Sequence, residues 1–347
     1  MNFKIDNKSV GKGCKPYVIA EMSGNHNGNI NRALRIIDEA KKVGADAVKI
    51  QTYTPDTITI DCDNEDFKIK SGLWKGKNLY ELYGWAHTPW EWHKELFDYA
   101  RKVNITCFSS PFDTSAVDLL EDLNTPAYKI ASFEIVDLPL IAYVAKTKKP
   151  MILSTGMANV EEITEAVTTA KDNGCTEMAL LHCISGYPTP VDQSNIRTIS
   201  DLIERFNLIV GLSDHTMGTA AAVASVALGA AVIEKHFTLN REDKGPDSEF
   251  SLEPDEFSSL CNDTRDAWLA LGEPGYESKV VERSNLKFRR SLYVVKDLKK
   301  GDKFSKENVK SIRPGFGMSP KYYFKVLEKK AARELKKGTA LNWDLIS

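Results

Sequence analysis

The sequence predicts an α/β fold: a (β/α)8 barrel followed by a small C-terminal β-clip domain. Three observations lead there. Eight short, β-rich apolar runs alternate strictly with eight helical patterns, polar residues gather at the end of each run, and the alternation stops near Leu271. Strict strand–helix alternation signals a parallel sheet, and eight such units close most simply into a barrel. A doubly wound open sheet is the alternative, but no strand is followed by G-x-G-x-x-G at a helix start.

The units follow in order. Run 17–21 precedes the helical pattern 31–43, where Leu34, Ile37 and Ala40 keep helical spacing. Run 47–51 leads to helix 90–103 through an unusually long connection, residues 52–89. Connections of that length commonly carry function, and this one leaves the C-terminal end of a strand, where barrel active sites sit. Then come 106–109 with 114–123, 127–131 with 138–146, 151–154 with 160–173, and 178–182 with 195–206. The last two units are 209–213 with 218–228 and 232–236 with 254–271.

A chain of 347 residues suits a large barrel with a small appendage. The expected division is a barrel over 1–272, a linker over 273–289 and a small domain over 290–347. The last segment is basic and repeats itself: Asp297-Leu298-Lys299-Lys300-Gly301 is echoed by Glu334-Leu335-Lys336-Lys337-Gly338. So short a segment buries little core alone and is expected to dock on something.

Bulk properties exclude several classes. Apolar residues make up 42%, charged residues 27%, and the formal net charge is -2, which speaks against a nucleic-acid coat or a polybasic membrane surface. The opening MNFKIDNKSV holds no apolar run of the signal-peptide kind. No stretch approaches the roughly 18 apolar residues of a membrane helix. The six cysteines, Cys14, Cys62, Cys107, Cys175, Cys183 and Cys261, form no C-x-x-C pair. Reduced thiols in a cytoplasmic protein are expected, without nucleic-acid or membrane partners and without a cysteine zinc site.

The chemistry is expected at the strand ends. The first strand ends in Glu21. The second carries Lys49 and Gln51, two apart and hence on one face. The third ends in Ser109-Ser110, the fourth leads through Lys129 to Ser132 and Glu134, and the fifth ends in Ser154-Thr155-Gly156. The sixth ends at His182, the seventh in Ser213-Asp214-His215, and the eighth in Glu234-Lys235-His236. Two lysines with neutral donors from Ser132, Ser154 and Ser213 can hold a small anion bearing phosphate and carboxylate groups. Alternatively, each lysine pairs with a neighbouring acid and the serines cap helices. Gly156 lets the backbone approach a ligand beside Ser154. His215 and His236 end adjacent strands, about 4.8 Å apart, so both imidazoles can reach one metal ion. Two imidazoles with oxygen ligands suggest a divalent ion, Mn2+ first, with Mg2+ or Co2+ as alternatives. His93, on a helix, reads as structural; His26 is left open.

The segments IAEMSGNHNG, VKIQTY, FSSPFD, YKIAS, STGMA, LLHCISGYPTP, GLSDHT and VIEKHF resemble the sialic acid synthase family over nearly the whole chain. The tail, SIRPGFGMSP with KKAARELKKGTAL, is similar to the antifreeze-like (SAF) domain that closes those enzymes. The resemblance implies a TIM barrel condensing phosphoenolpyruvate with an acetamido sugar, with phosphate lost by C–O cleavage. It implies that Lys49, Lys129, Ser132, Ser154, Ser185 and Ser213 bind phosphoenolpyruvate, Ser110 adding a contact, and that His215 and His236 bind the metal. Glu21, Glu134, Tyr187 and Asp247 would face the sugar, with Glu134 or Glu21 as the catalytic carboxylate. Arg313 would reach the sugar from the partner's tail in a domain-swapped homodimer. Ser185 in CISGYPTP departs from the asparagine of the N-acetylneuraminate branch. The loop GLWKGKNLYELYGWAHTPWEWH resembles instead the branch of the family that uses a 6-deoxy diacetamido sugar; Leu73, Trp74, Tyr80, Tyr83 and Trp90 would offer it apolar surface, or else only pack the loop onto the barrel. A neuraminate or legionaminate precursor, a metal-dependent aldolase and a carbohydrate-binding protein are the rival readings.

Overall fold

The computed structural model describes residues 2–347 and divides after Gly272 into two compact units. An N-terminal hairpin comes first, β1 (Asn2–Ile5) paired antiparallel with β2 (Lys8–Gly11). Eight parallel strands follow: β3 (Tyr17–Glu21), β4 (Ala47–Thr52), β5 (Thr106–Pro111), β6 (Tyr128–Ile130), β7 (Met151–Ser154), β8 (Met178–Cys183), β9 (Ile209–Asp214) and β10 (Val232–His236). They pair in chain order, and β10 closes on β3 to form a barrel. The expected eight strands are all present.

Ten helices accompany the strands: α1 (Ile30–Lys42), α2 (Pro55–Ile58), α3 (Leu79–Ala86), α4 (Trp90–Lys102), α5 (Thr114–Asp122), α6 (Leu138–Ala145), α7 (Val160–Asp172), α8 (Thr198–Phe206), α9 (Ala220–Ala227) and α10 (Pro254–Leu271). Two start later than their sequence patterns. Asn195 has φ 43° and Gly218 φ 75°, left-handed conformations that a right-handed helix cannot include. The long 52–89 connection is partly helical. In it, Asn78 and Glu81 form a capping box that starts α3.

The barrel has two apolar layers because strand side chains alternate. Along β3, Tyr17 and Ile19 face the interior, whereas Val18 and Ala20 face the helices. Phe3, Ile5 and Val10 of the hairpin join the interior layer. They pack with Ile19, Ala47, Phe108 and Ile152. The next inward positions toward the C-terminal strand ends are 21, 49, 110, 129, 154, 183, 213 and 234, and none of them is a large hydrocarbon side chain.

The second unit holds β11 (Ser291–Val294) antiparallel to β12 (Val309–Ile312). Its internal echo is a structural pair. Leu298 and Leu335 exchange both backbone hydrogen bonds, at 2.8 and 2.9 Å, and Asp297 Oδ1 accepts from the Lys337 amide at 2.8 Å. Contrary to the expectation of little core, the unit buries Leu292, Phe304, Val326 and Leu341 in a cluster of its own. The two copies of the echo brace each other across that core. Among the described residues no helix is long and apolar enough to cross a membrane.

Gly211 shows how tightly β9 fits its neighbours. A Cβ there would lie 2.2 Å from the Val232 carbonyl oxygen and 2.7 Å from Leu181 Cδ2. Gly211→Ala should therefore destabilise the barrel by at least about 1–3 kcal/mol, measured by denaturant unfolding.

Candidate active site

The inward positions at the C-terminal strand ends open into a cavity of about 330 Å³. Eleven of the fourteen residues singled out in the sequence line it: Glu21, Lys49, Lys129, Ser132, Glu134, Ser154, Tyr187, Ser213, His215, His236 and Asp247. Ser110 is fully buried behind the wall, where its hydroxyl accepts from Lys49 Nζ at 3.3 Å. Ser185 stands at the Ser132–Gly156 corner, and a Cβ on Gly156 would come within 2.4 Å of its Oγ. Arg313 belongs to the second unit, exposed just beyond β12.

Four buried charges form the floor. Lys49 Nζ lies 2.7 Å from Glu21 Oε2 and 3.8 Å from Glu234 Oε2. Lys129 Nζ lies 3.5 Å from Glu234 Oε1. The pairing of lysines with neighbouring acids is thus realised, since strand register sets Glu21 beside Lys49. Gln51 Nε2 donates to Glu21 Oε1 at 2.9 Å, and Ser213 Oγ donates to Glu234 Oε1 at 3.1 Å. Burial raises the Glu21 carboxyl, with Lys49 opposing. Burial would also raise Glu234, but Lys129 and Lys49 outweigh it and hold that carboxyl low. Burial likewise works against the Lys49 ammonium, yet Glu21 and Glu234 hold it above its ordinary value. Lys129 is shifted down by burial, against the pull of Glu234.

A donor cluster faces this floor. The Gly156 amide donates to Ser132 Oγ at 3.2 Å. Ser154 Oγ is buried without a hydrogen-bond partner among the described residues. A buried hydroxyl is ordinarily satisfied, so Ser154 is suited to a ligand oxygen.

The imidazoles of His215 and His236 stand with ring centroids 5.4 Å apart. His215 Nδ1 faces the Ile184 carbonyl at 2.9 Å, which leaves Nε2 as the free nitrogen. His236 Nδ1 is buried and unpartnered among the described residues. Burial, then the nearby charge of His215, holds His236 well below the usual histidine range, so its ring is neutral. A neutral ring with a free lone pair is what a metal ligand requires. Tyr187 packs against His215 at 4.4 Å and Phe250 against His236 at 4.9 Å between centroids. Among the described residues no group of three or more His, Cys, Asp or Glu forms a metal-holding cluster. The pair would need its other ligands from substrate or solvent. The remaining four histidines have partners of their own: His26 bonds Thr88, His87 Nδ1 faces the Gly84 carbonyl, His93 bonds Thr52, and His182 Nε2 faces the Ser194 carbonyl.

The NeuB family model matches residues 36–276, and a SAF domain model matches residues 289–347. The chain belongs to the NeuB family. It is 49% identical to the pseudaminic acid synthase of Campylobacter jejuni, over 94% of this chain and 95% of that one. It is 39% identical to the N,N'-diacetyllegionaminic acid synthase of the same organism, over 93% of this chain and 97% of that one. Among solved structures, the N-acetylneuraminic acid synthetase of Leptospira borgpetersenii, in complex with citrate, superposes with TM-score 0.74 at 31% identity. That match covers 83% of this chain and 96% of the other.

In this NeuB enzyme part of the cavity wall is apolar. Tyr53, Ile58, Leu82, Tyr83, Ala86 and Phe112 line it, with Trp74, whose Nε1 donates to the Pro246 carbonyl at 2.9 Å. Of the five loop residues expected to offer apolar surface, only Trp74 and Tyr83 reach the cavity. Helix α3 turns Leu82, Tyr83 and Ala86 inward, so Tyr80 points away to Asp56 at 3.1 Å. Leu73 is exposed, and Trp90 lies at the start of α4. Sequence reasoning passed over Glu234, Cys183, Tyr53, Ile58 and Leu82 as site residues. Period-two counting back from His236 and forward from Leu181 finds the first two. Asp247 is anchored by Ser23 Oγ at 2.5 Å, and burial raises its carboxyl.

Glu134 lies on the short 3-10 turn Ser132–Glu134. Burial pushes its carboxyl up to about 7, with Lys129 opposing. A side-chain carboxyl titrating near pH 7 should appear in an isotope-edited NMR titration and vanish in Glu134→Gln. If it persists in that variant, Glu134 does not carry the shift.

Proposed function

We propose that this protein condenses phosphoenolpyruvate with 2,4-diacetamido-2,4,6-trideoxy-altrose and water, giving pseudaminic acid and inorganic phosphate. The observation that carries this reading is the division of one cavity into a floor bearing Lys49 and Lys129 and an apolar wall. Lys49, Lys129 and the hydroxyls of Ser132, Ser154, Ser185 and Ser213 hold phosphoenolpyruvate through charge-assisted hydrogen bonds. Ser110 supports Lys49 from behind. The sugar lies between that anion and the wall of Ile58, Leu82, Tyr83 and Phe112, with Glu21, Tyr187 and Asp247 at its polar edge. An unpolar wall favours a methyl at carbon six over a hydroxyl, which would be left without a partner there.

His215 and His236 hold a divalent ion, Mn2+ first and Mg2+ or Co2+ as alternatives. When bound, such an ion supplies Lewis acidity toward the aldehyde oxygen of the open sugar. Carbon three of phosphoenolpyruvate bonds to the aldehyde carbon, and positive charge develops at carbon two. Glu134 stabilises that charge and accepts the proton of the water that adds there. The bond between carbon two and the phosphate oxygen then breaks as the hydroxyl on carbon two becomes the ketone; of the water's two protons, one ends on the former aldehyde oxygen and one on the released phosphate. Glu21, tied to Lys49 and Gln51, orients the sugar and is the alternative base. The six free cysteines suit the reducing cytoplasm.

The deciding experiment supplies phosphoenolpyruvate with the diacetamido trideoxy sugar and N-acetylmannosamine at equal concentration, and follows each product. The former should win, by the roughly 1–3 kcal/mol that one methyl-sized contact provides. Chelation should stop turnover and Mn2+ should restore it. Faster product formation from N-acetylmannosamine, or from a legionaminate precursor supplied in a parallel competition, would overturn the sugar assignment. Full activity without metal would overturn the role of the histidines.

We further propose that two copies form a domain-swapped homodimer in which Arg313 completes the partner's site. Residues at the barrel mouth are apolar and exposed, Phe133 at 59% and Met157 at 63%. In the second unit, Phe316 is 73% exposed three residues after Arg313. Exposed apolar residues at both places suit a covered interface. Mixing inactive Lys129→Ala with inactive Arg313→Ala should restore activity as mixed dimers form, because each such dimer holds one intact site. Confirmed mixed dimers that stay inactive would rule this out.

A further inference from the structure

The layer between barrel and helices is built from hydrocarbon side chains such as Val48, Ile130, Leu153 and Val210. Polar Thr52, Ser109 and His182 also stand on outward strand faces, and two residues there are charged. Asp214 and Lys235 follow Leu212 and Ile233 on the outward faces of β9 and β10, and their side chains are 2% and 0% exposed. They are cross-strand partners in register, with Lys235 Nζ 2.6 Å from Asp214 Oδ2. A buried ion pair contributes little net stability, because desolvation offsets the attraction. Its presence in an apolar layer therefore points to positioning rather than to stability.

The remaining contacts show what is positioned. Lys235 Nζ also donates to the Thr216 carbonyl at 2.6 Å, and Asp214 Oδ1 accepts from the Thr216 amide at 2.9 Å. The pair thus holds both backbone polar groups of Thr216, the residue after His215, while its two members directly precede His215 and His236 in the chain. From the other side, the Thr189 amide donates to the His215 carbonyl at 2.9 Å. Beside the β9–β10 backbone ladder, this ion pair ties the two strands through side chains at the residues just before the imidazoles.

We infer that Asp214 and Lys235 form a cross-strand clamp that sets the spacing of the His215 and His236 imidazoles for a divalent ion. Neither residue lines the cavity; both act through the histidines as positioning residues. The inference rests on the metal reading above.

The test measures Mn2+ binding to full-length, chelator-stripped protein by calorimetry, beside the melting temperature and the KM for phosphoenolpyruvate at saturating metal. The principal variant is the double change Asp214→Leu with Lys235→Met, which removes both charges and leaves neither buried alone. It should melt near the parent, keep the KM for phosphoenolpyruvate, and bind Mn2+ about 10- to 100-fold more weakly. A purely structural pair would lower the melting temperature and leave the Mn2+ affinity of the folded protein unchanged, and that result overturns the clamp. If the double variant does not fold, Asp214→Asn replaces it. That isosteric change keeps the bond to the Thr216 amide, so a weaker loss of Mn2+ affinity is expected, and an unchanged affinity refutes the inference. Failure of the parent protein itself to bind Mn2+ would sink the metal reading, and the clamp with it.

Discussion

Four charges buried at the barrel floor govern what the cavity can hold. Glu21, Lys49, Lys129 and Glu234 are each almost fully buried. Groups of that kind persist in a folded protein only when paired. Here the pairing follows from geometry. A closed parallel barrel turns every second side chain inward, and strand register places Glu21 beside Lys49. Two cations and two anions leave the floor near neutrality, so the protein tolerates it without a ligand. The same arrangement prepares it for a multiply charged anion. Such a ligand adds negative charge where the lysines already stand, and neutral donors such as Ser154 are ready beside them.

The apolar side chains that also line the cavity impose a second constraint. Floor and wall together give one cavity both a charged and a hydrocarbon lining. The wall exists because the 52–89 connection is partly helical, so that Leu82, Tyr83 and Ala86 share an inward face. A looser connection would offer the same residues without holding them against the cavity.

Much of this was legible in the sequence, for a physical reason. Parallel strands buried on both faces read as continuous apolar runs, and their polar ends stand out against them. All eight strands and the His215–His236 pair follow from that contrast. What escaped depends on contacts between distant segments. The β1–β2 hairpin has strands of only four residues each, too short for a periodic signal, yet Phe3 and Val10 join the interior core. Tyr80 and Leu82 cannot be told apart by composition; only the phase of α3 decides which reaches the cavity. Asp214 and Lys235 look like two more polar strand ends. Counting in twos from Leu212 and Ile233 shows that they face outward, into a layer where charge is unexpected.

The shift on Glu134 ties these parts together. Its carboxyl is raised by burial and lowered by the Lys129 ammonium. An anion bound to Lys129 would offset that lowering influence and place further negative charge nearby, and both changes raise the carboxyl again. A general base works best when its pKa lies near the working pH. Glu134 already stands at about 7 in the protein alone. In the proposed reaction, loading of the floor would therefore make Glu134 a stronger base toward water, while raising the fraction that remains protonated at neutral pH. The balance between those two effects is set by how far Lys129 stays engaged with Glu234, 3.5 Å away. Removing the Glu234 carboxylate would commit Lys129 more fully to the bound anion. The floor and the base are in this way one electrostatic unit, and a change to either is felt by the other.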